Sequence, residues 1–390
     1  MALPITYNIR NLFVRWKVTL LAICGIGLVV VVFVVLLSMA TGFRLALSST
    51  GSTQNAIVVQ QGSTSELTSG FSREQAELIS VDDRVARGKD GRPLASPEIM
   101  VLVNLTKRAT GMPTNVTVRA VTQKAFEVRS DVKIVEGRNF TSGLYEIVVG
   151  KRIQERIAGL DIGSKVSVMK HDFVVVGVFT ASGSSFESEI WGDLDVMGPA
   201  FNRAGGQSSL TVRLADPKSL ARFNTDIKAN PQFQLEMHEE RQYYNDQAGF
   251  TANALLGLAM FVSIVMGIGA VFGAMNTMYA IVAARTREIG TLRALGFSRF
   301  SVLFSFVLEA VFLALVGGVV GCLLASSVNG FAAGTGFGTP NFSEIAFAFR
   351  ITPHDLTQGL IFALVMGIIG GLLPAFRAAK LPITTALREA

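Results

Sequence analysis

Val18-Thr-Leu-Leu-Ala-Ile-Cys-Gly-Ile-Gly-Leu-Val-Val-Val-Val-Phe-Val-Val-Leu-Leu-Ser-Met39 carries no charge over 22 residues. At about 1.5 Å of rise per residue, a helix of this length spans a hydrocarbon core of roughly 30 Å. A secretory signal is the alternative, and Ser38-Met39-Ala40 loosely fits a cleavage site. Its apolar region would run only about 7–15 residues, so the stretch reads as an uncleaved anchor. Further apolar blocks lie at 247–284, 301–338 and 357–376, whereas 40–246 reads as a polar globular domain. The block 247–284 is uncharged over 38 residues, more than one crossing needs. Its crossing is placed near Ala259–Ala283, in a helix 251–284 that begins outside the membrane. A third span is expected over 301–329, interrupted only by Glu309, and a fourth over 356–377. Together with a mean hydropathy of +0.45, these blocks exclude a purely soluble protein.

Basic residues accumulate in short cytoplasmic segments. Arg10, Arg15 and Lys17 precede the first span; Arg285, Arg287, Arg293 and Arg299 separate the second and third; Arg377, Lys380 and Arg388 follow the fourth. All three clusters fall on one side, which predicts cytoplasmic termini; a cysteine-free segment between the first two spans looks more bacterial than eukaryotic, and a bacterial inner membrane is the expected location. The net charge of +6 is then a topology signal, and no nucleic-acid partner is needed to explain it. Residues 1–17 carry an apolar stripe at Ile5, Ile9, Leu12, Phe13 and Trp16, suited to an interfacial amphipathic helix or to a plain positive flank.

The segment 40–250 is expected outside, with a shorter outer loop at 330–355 and a cytoplasmic tail at 378–390. Strand-like runs at Ala56–Val59, Ile99–Leu105, Asn115–Val121, Glu146–Val149, Lys165–Met169, Phe173–Phe179 and Ser209–Leu214 interleave with helical stretches. The helices are expected at Arg73–Ile79, behind a Ser72/Gln75 capping box, and at Lys151–Ala158 and Lys218–Ala229. The fold class is therefore a helical membrane domain of four spans with an α/β extracytoplasmic domain, of one or two lobes, inserted between the first and second. Both cysteines, Cys24 and Cys322, sit in spans, so no disulfide staples the outer domain.

No catalytic set assembles. His171, His238 and His354 are not spaced as a metal site, and Gly159–Lys165 falls one residue short of a phosphate loop. The chain is not expected to be an enzyme or to bind a cofactor. Glu309 lies about 12 Å into its span, where a charge is costly unless paired, so it reads as a structural glutamate or a proton or substrate relay. Gly269/Gly273, Gly317/Gly321 and Gly367/Gly371 place a GxxxG pattern in each of the last three spans, which predicts close helix packing within the chain or across a dimer.

The loop 285–300 is the most informative segment. Ile289, Leu292 and Leu295 recur at helical spacing, with Gly296 suited to stopping the helix. Arg285, Arg287, Glu288 and Arg293 share that helix, which reads as a rigid docking element rather than a linker. Arg285–Gly296, with Arg287–Gly296 as its core, matches the "R-x-R-E-I-G-x-L-R-A-x-G" stretch at this place in the MacB/FtsX/LolCE permeases, the mechanotransmission class of ABC systems, and the chain resembles that family. Leu308-Glu309-Ala310, Gly317-Gly318, Gly370-Gly371 and Pro374-Ala375 are similar too, as are Glu136–Phe140, Val148–Gly150 and Val175–Phe179 in the outer domain.

The resemblance implies a MacB-like periplasmic core and a dimeric permease, with an identical or different second copy. It also implies a loop that acts as a coupling helix against a cytoplasmic ABC ATPase carrying ATP and Mg. Only about 17 residues precede the first span, so a separate ATPase subunit is expected. Arg287 and Glu288 would contact it, with Ile289 and Leu292 as apolar knobs. Two functions follow: export or extraction of an amphiphile, lipoprotein, peptide or drug, with a periplasmic adaptor, or an FtsX-like transmitter that transports nothing. A proton-coupled transporter centred on Glu309 is disfavoured by having four spans and a single acid.

Overall fold

The computed structural model describes residues 16–168, 171–334 and 345–382. Residues 1–15 of the expected amphipathic segment, 335–344 of the outer loop and 383–390 of the tail lie outside them, with Arg10, Arg15 and Arg388. The chain forms two compact units: a helical one of residues 1–42, 252–331 and 349–390, and an α/β one of residues 43–251 and 332–348.

Helix α1 (Trp16–Ser48) continues nine residues past the expected span. The α/β unit follows with β1 (Asn55–Gln60), β2 (Phe71–Ser72), α2 (Arg73–Ser80), β3 (Ala95–Thr106), β4 (Pro113–Val121), α3 (Ala125–Val128) and β5 (Lys133–Gly137). Next come β6 (Glu146–Gly150), α4 (Lys151–Arg156), β7 (Lys165–Val168), β8 (His171–Thr180), β9 (Glu189–Asp193) and α5 (Leu194–Ala200). The unit continues through β10 (Gly206–Gln207), β11 (Ser209–Arg213), α6 (Leu220–Ala229) and β12 (Leu235–Glu239). Both arms of the capping box form at α2: Ser72 Oγ accepts from Gln75 N at 3.2 Å, and Ser72 N donates to Gln75 Oε1 at 3.0 Å.

Nine strands follow one path, β12-β1-β11-β3-β4-β9-β6-β8-β5, with β7 added beside β8. Strand β3 serves two halves of this sheet, which keeps its backbone ladder continuous. Ala95–Glu98 pairs with β11, and Ile99–Thr106 pairs with β4. The alternating inward residues feed separate apolar clusters, and Trp191, Phe173, Phe179 and Phe186 are fully buried in them. Each such side chain contributes about 1.5–3 kcal/mol by burial.

Helix α7 (Glu240–Ala284) is a single helix of 45 residues and starts eleven residues before the expected second span. It is followed by α8 (Thr286–Ala294) and α9 (Arg299–Ser326). The outer loop then yields β13 (Ala332–Gly334) and β14 (Ala346–Ala348), an antiparallel pair belonging to the α/β unit rather than a separate loop. Last is α10 (Pro353–Lys380), whose Thr352/Asp355 capping box and Pro353 give it a defined start. Helices α1, α7, α9 and α10 are each long and apolar enough to cross a membrane.

The glycine pattern divides. A Cβ at Gly317 would meet Ile23 O at 3.0 Å, and one at Gly321 would meet Gly27 O at 2.7 Å, so α9 lies directly on the α1 backbone. Cβ atoms at Gly367 and Gly371 would each fall 2.4 Å from an alanine Cβ of α9. Gly269 and Gly273, expected in the same role, have nothing within 4 Å of their Cβ positions. They line an open groove of about 250 Å³ with Leu21, Ala22, Gly25 and Ile26 of α1, so among the described residues the motif makes no close packing.

Candidate coupling site

Between α7 and α9 the chain must turn at a helix end, which leaves backbone carbonyls without partners unless the turn supplies them. Here Gly296, at φ +95°, provides the left-handed residue. Its N–H donates to Arg293 O at 3.2 Å and Phe297 N donates to Leu292 O at 3.2 Å, the paired bonds of a Schellman stop. Ser298 Oγ then accepts from Ser301 N at 3.1 Å and opens α9. The loop is thus a rigid helix between two ordered ends.

The helix is fixed at its root. The buried Arg285 sends Nη1 to Glu309 Oε2 at 2.9 Å and Nε to Glu288 Oε2 at 3.2 Å, while its guanidinium lies 5.2 Å from the Phe306 ring centre. Glu309 is only 2% exposed. The intramembrane acid therefore has a cationic partner, which removes most of the cost of burying it. Glu309 is thus an acceptor for the arginine at the root of the loop.

Two expected contact residues sit differently from the sequence reading. Arg285 is internal, spent on Glu309, and Ile289 is 2% exposed and packs among Met278, Val302, Phe306 and Ala378. Ile289 faces inward against residues of α9 and α10, whereas the later members of its stripe turn progressively outward. Arg287 and Glu288 are exposed, Leu292 and Arg293 are half-buried, and Leu295 is 71% exposed. Arg293 Nε and Nη1 are shielded from solvent without a hydrogen-bond acceptor, an arrangement that disfavours this state by about 1–3 kcal/mol. Phe300, which the sequence reading passed over, is 74% exposed. Its position after the helix stop was the available signal, since a large aromatic at a polar turn lacks a core to enter.

The family model for an FtsX-like permease C-terminal region matches residues 260–383, which contain this loop, and that for a MacB-like periplasmic core domain matches residues 19–230. The chain belongs to the MacB/FtsX-type family of ABC transporter permeases. This permease is 30% identical over 284 residues to the pyoverdine export ATP-binding/permease protein PvdT of Pseudomonas fluorescens, covering 65% of this chain and 40% of that protein. It is 24% identical over 409 residues to the macrolide export ATP-binding/permease protein MacB of Mannheimia succiniciproducens, covering 96% and 59% respectively. The permease thus spans roughly half the length of these two relatives. It is also 28% identical over 296 residues to the ABC transporter permease YknZ of Bacillus subtilis, covering 70% of each chain.

Proposed function

We propose that this permease couples ATP hydrolysis on a separate cytoplasmic ABC subunit, which holds ATP and Mg, to export or extraction of an amphiphile at the outer face. The observation that carries this reading is α8, fixed at its root by Arg285 and Glu309 and presenting Arg287, Glu288 and Leu295 outward. A short helix with ordered ends transmits a push, whereas a flexible linker absorbs it. Arg293, with two shielded N–H groups lacking an acceptor, suits a partner that brings a carboxylate to this face.

The basic residues around α8 and after α10 support a cytoplasmic loop and termini in an inner membrane. The relatives named as ATP-binding/permease proteins supply the link to ATP, and the similarity to a chain named only as a permease supports an ATPase on another subunit. A second permease copy fits the groove lined by Gly269 and Gly273, where small residues admit a helix backbone.

The test is purification of the full chain from its native membrane in mild detergent, beside an Arg287→Glu/Leu295→Glu variant, followed by mass spectrometry of co-eluting proteins. An ATP-binding subunit that accompanies the wild type and is lost from the variant supports the reading. Retention of the same subunit by the variant removes α8 from the contact.

A further inference from the structure

Three segments link the α/β unit to the apolar helices along the chain: the end of α1 through Thr50, the start of α7, and the β13–β14 pair. All three meet on five consecutive residues, the turn Ser185–Ser188 and Glu189 at the head of β9. Thr50 Oγ1 donates to Ala46 O at 2.9 Å, in the last turns of α1, and accepts from Ser185 N at 2.9 Å. With the Thr50 proton committed, Ser185 Oγ is the donor in its own 2.9 Å bond to the same hydroxyl.

Phe186 is fully buried and meets the Tyr244 ring of α7 edge-on at 5.6 Å. The Arg129 guanidinium lies 4.7 Å from the Phe186 ring centre and donates to Glu240 Oε1 at 2.8 Å, in the first turn of α7. Glu187 accepts from Arg152 Nε at 3.2 Å, and Arg152 Nη1 donates to Ala346 O of β14 at 3.3 Å. Ser188 Oγ accepts from Ala346 N at 2.9 Å. Glu189 holds Arg119 through both oxygens, at 2.8 and 2.9 Å.

The turn has little room to move alone. A Cβ on Gly150 would lie 2.3 Å from the Glu187 carbonyl oxygen, so the turn rests on the backbone at the end of β6. It runs directly into β9, which pairs with β4 on one side and β6 on the other.

We propose that Ser185–Glu189 is the junction through which the outer domain senses its membrane attachments: displacing any one of α1, α7 or the β13–β14 pair is passed to the other two and to β9. The small polar residues at 185 and 188 bind backbone groups and hydroxyls, while Phe186 and Glu189 anchor the turn between them in the core. The coupling belongs to this chain and holds whichever subunit drives it, and whether or not a substrate is moved.

Hydrogen exchange followed by mass spectrometry on the full chain in lipid nanodiscs tests it, without ATPase or substrate. Thr50→Val removes the acceptor for Ser185 N, and Ser188→Ala removes the acceptor for Ala346 N. Thr50→Val is expected to speed exchange at Ala346 and across Glu240–Ala248 by about threefold or more, although none of these amides touches Thr50, while the Ile99–Thr106 half of β3 is unchanged. Ser188→Ala is expected to do the same at Ser185 and Glu240–Ala248. Should Thr50→Val speed exchange through the whole domain, Ser185→Ala, which deletes one hydroxyl, decides in its place. Changes confined to each variant's own contact overturn the proposal.

Discussion

The permease pairs buried charge in two contrasting ways. In the helical unit Arg285 and Glu309 pair at 2.9 Å at the root of the loop helix. In the α/β unit two arginines and four glutamates form a network: Arg119 binds Glu66, Glu98 and Glu189, and Arg129 binds Glu98 and Glu240. The remaining acceptor positions are met by Ser209 and Tyr244 on Glu66, Trp191 on Glu189, and Asn55 with the Ser52 amide on Glu240. Every one of these groups donates to a carboxylate, so neutral donors supplement two guanidinium groups around four glutamates. The pair is a local device that fixes one helix. The network instead binds parts of the chain as distant as residues 66 and 240, and neutral donors make up what cationic charge does not.

That contrast predicts different responses to substitution. The largest effect is expected for Arg119→Met, which leaves Glu66, Glu98 and Glu189 buried without their shared cation. A loss of about 3–5 kcal/mol or more is expected, read as protease sensitivity of residues 43–251 in the full-length protein. Combining it with Glu189→Met should recover little, because Glu66 stays without its cation and Glu98 keeps only Arg129. Arg285→Met should also cost about 3–5 kcal/mol in thermal unfolding, yet Arg285→Met/Glu309→Met should restore most of it, since a pair can be replaced whole. If both double variants recover alike, the distinction between pair and network fails.

Smaller effects sharpen the boundary. Gly321→Leu forces α9 off the α1 backbone and should cost about 1–3 kcal/mol of thermal stability, whereas Gly273→Leu enters the open groove and should leave the monomer's melting unchanged. Acid should weaken the network gradually. Burial pushes the Glu66 carboxyl up, but the Arg119 guanidinium and the Ser209 hydroxyl outweigh it and hold it below the ordinary 4.5. A depressed folded value means this stabilisation is complete above the ordinary carboxylate range and is lost as pH falls below it, which a pH series of thermal unfolding checks. Smallest of all, Glu146 is lowered to about 2, chiefly by its hydrogen bond to the exposed Arg138. Glu146→Gln should cost under about 1 kcal/mol, with its contribution lost between pH 4.5 and about 2.

Much of the architecture was legible in residue order because it depends on local chemistry. Uncharged runs marked four helices, alternating apolar residues marked β4 and β8, and Gly296 marked the helix stop. Glu309 announced that a cation must reach it, and Arg285, at the start of the loop helix, lies 24 residues away in the sequence. Its partner went unnamed because the arginine was read as a surface contact. The GxxxG spacing showed which residues were small but not which face of a helix they occupied, so Gly273 and Gly321 looked alike. Glu66, Glu98, Arg119 and Arg129 resembled ordinary surface charges, since only the folded sheet brings them together. The turn at Ser185–Glu189 was equally silent, because Thr50 lies 135 residues before Ser185 and Ala346 lies 158 after Ser188.

The measurement that bears most directly on the permease reading is photocrosslinking from position 295 in native membranes, with the crosslinker at the exposed Phe261 of α7 as reference. A crosslink from 295 to an ATP-binding subunit, absent from 261, is the expected result. Labelling of position 295 by a membrane-impermeant reagent added to intact cells would place the loop on the outer side and end the proposal that α8 couples to a cytoplasmic ATPase.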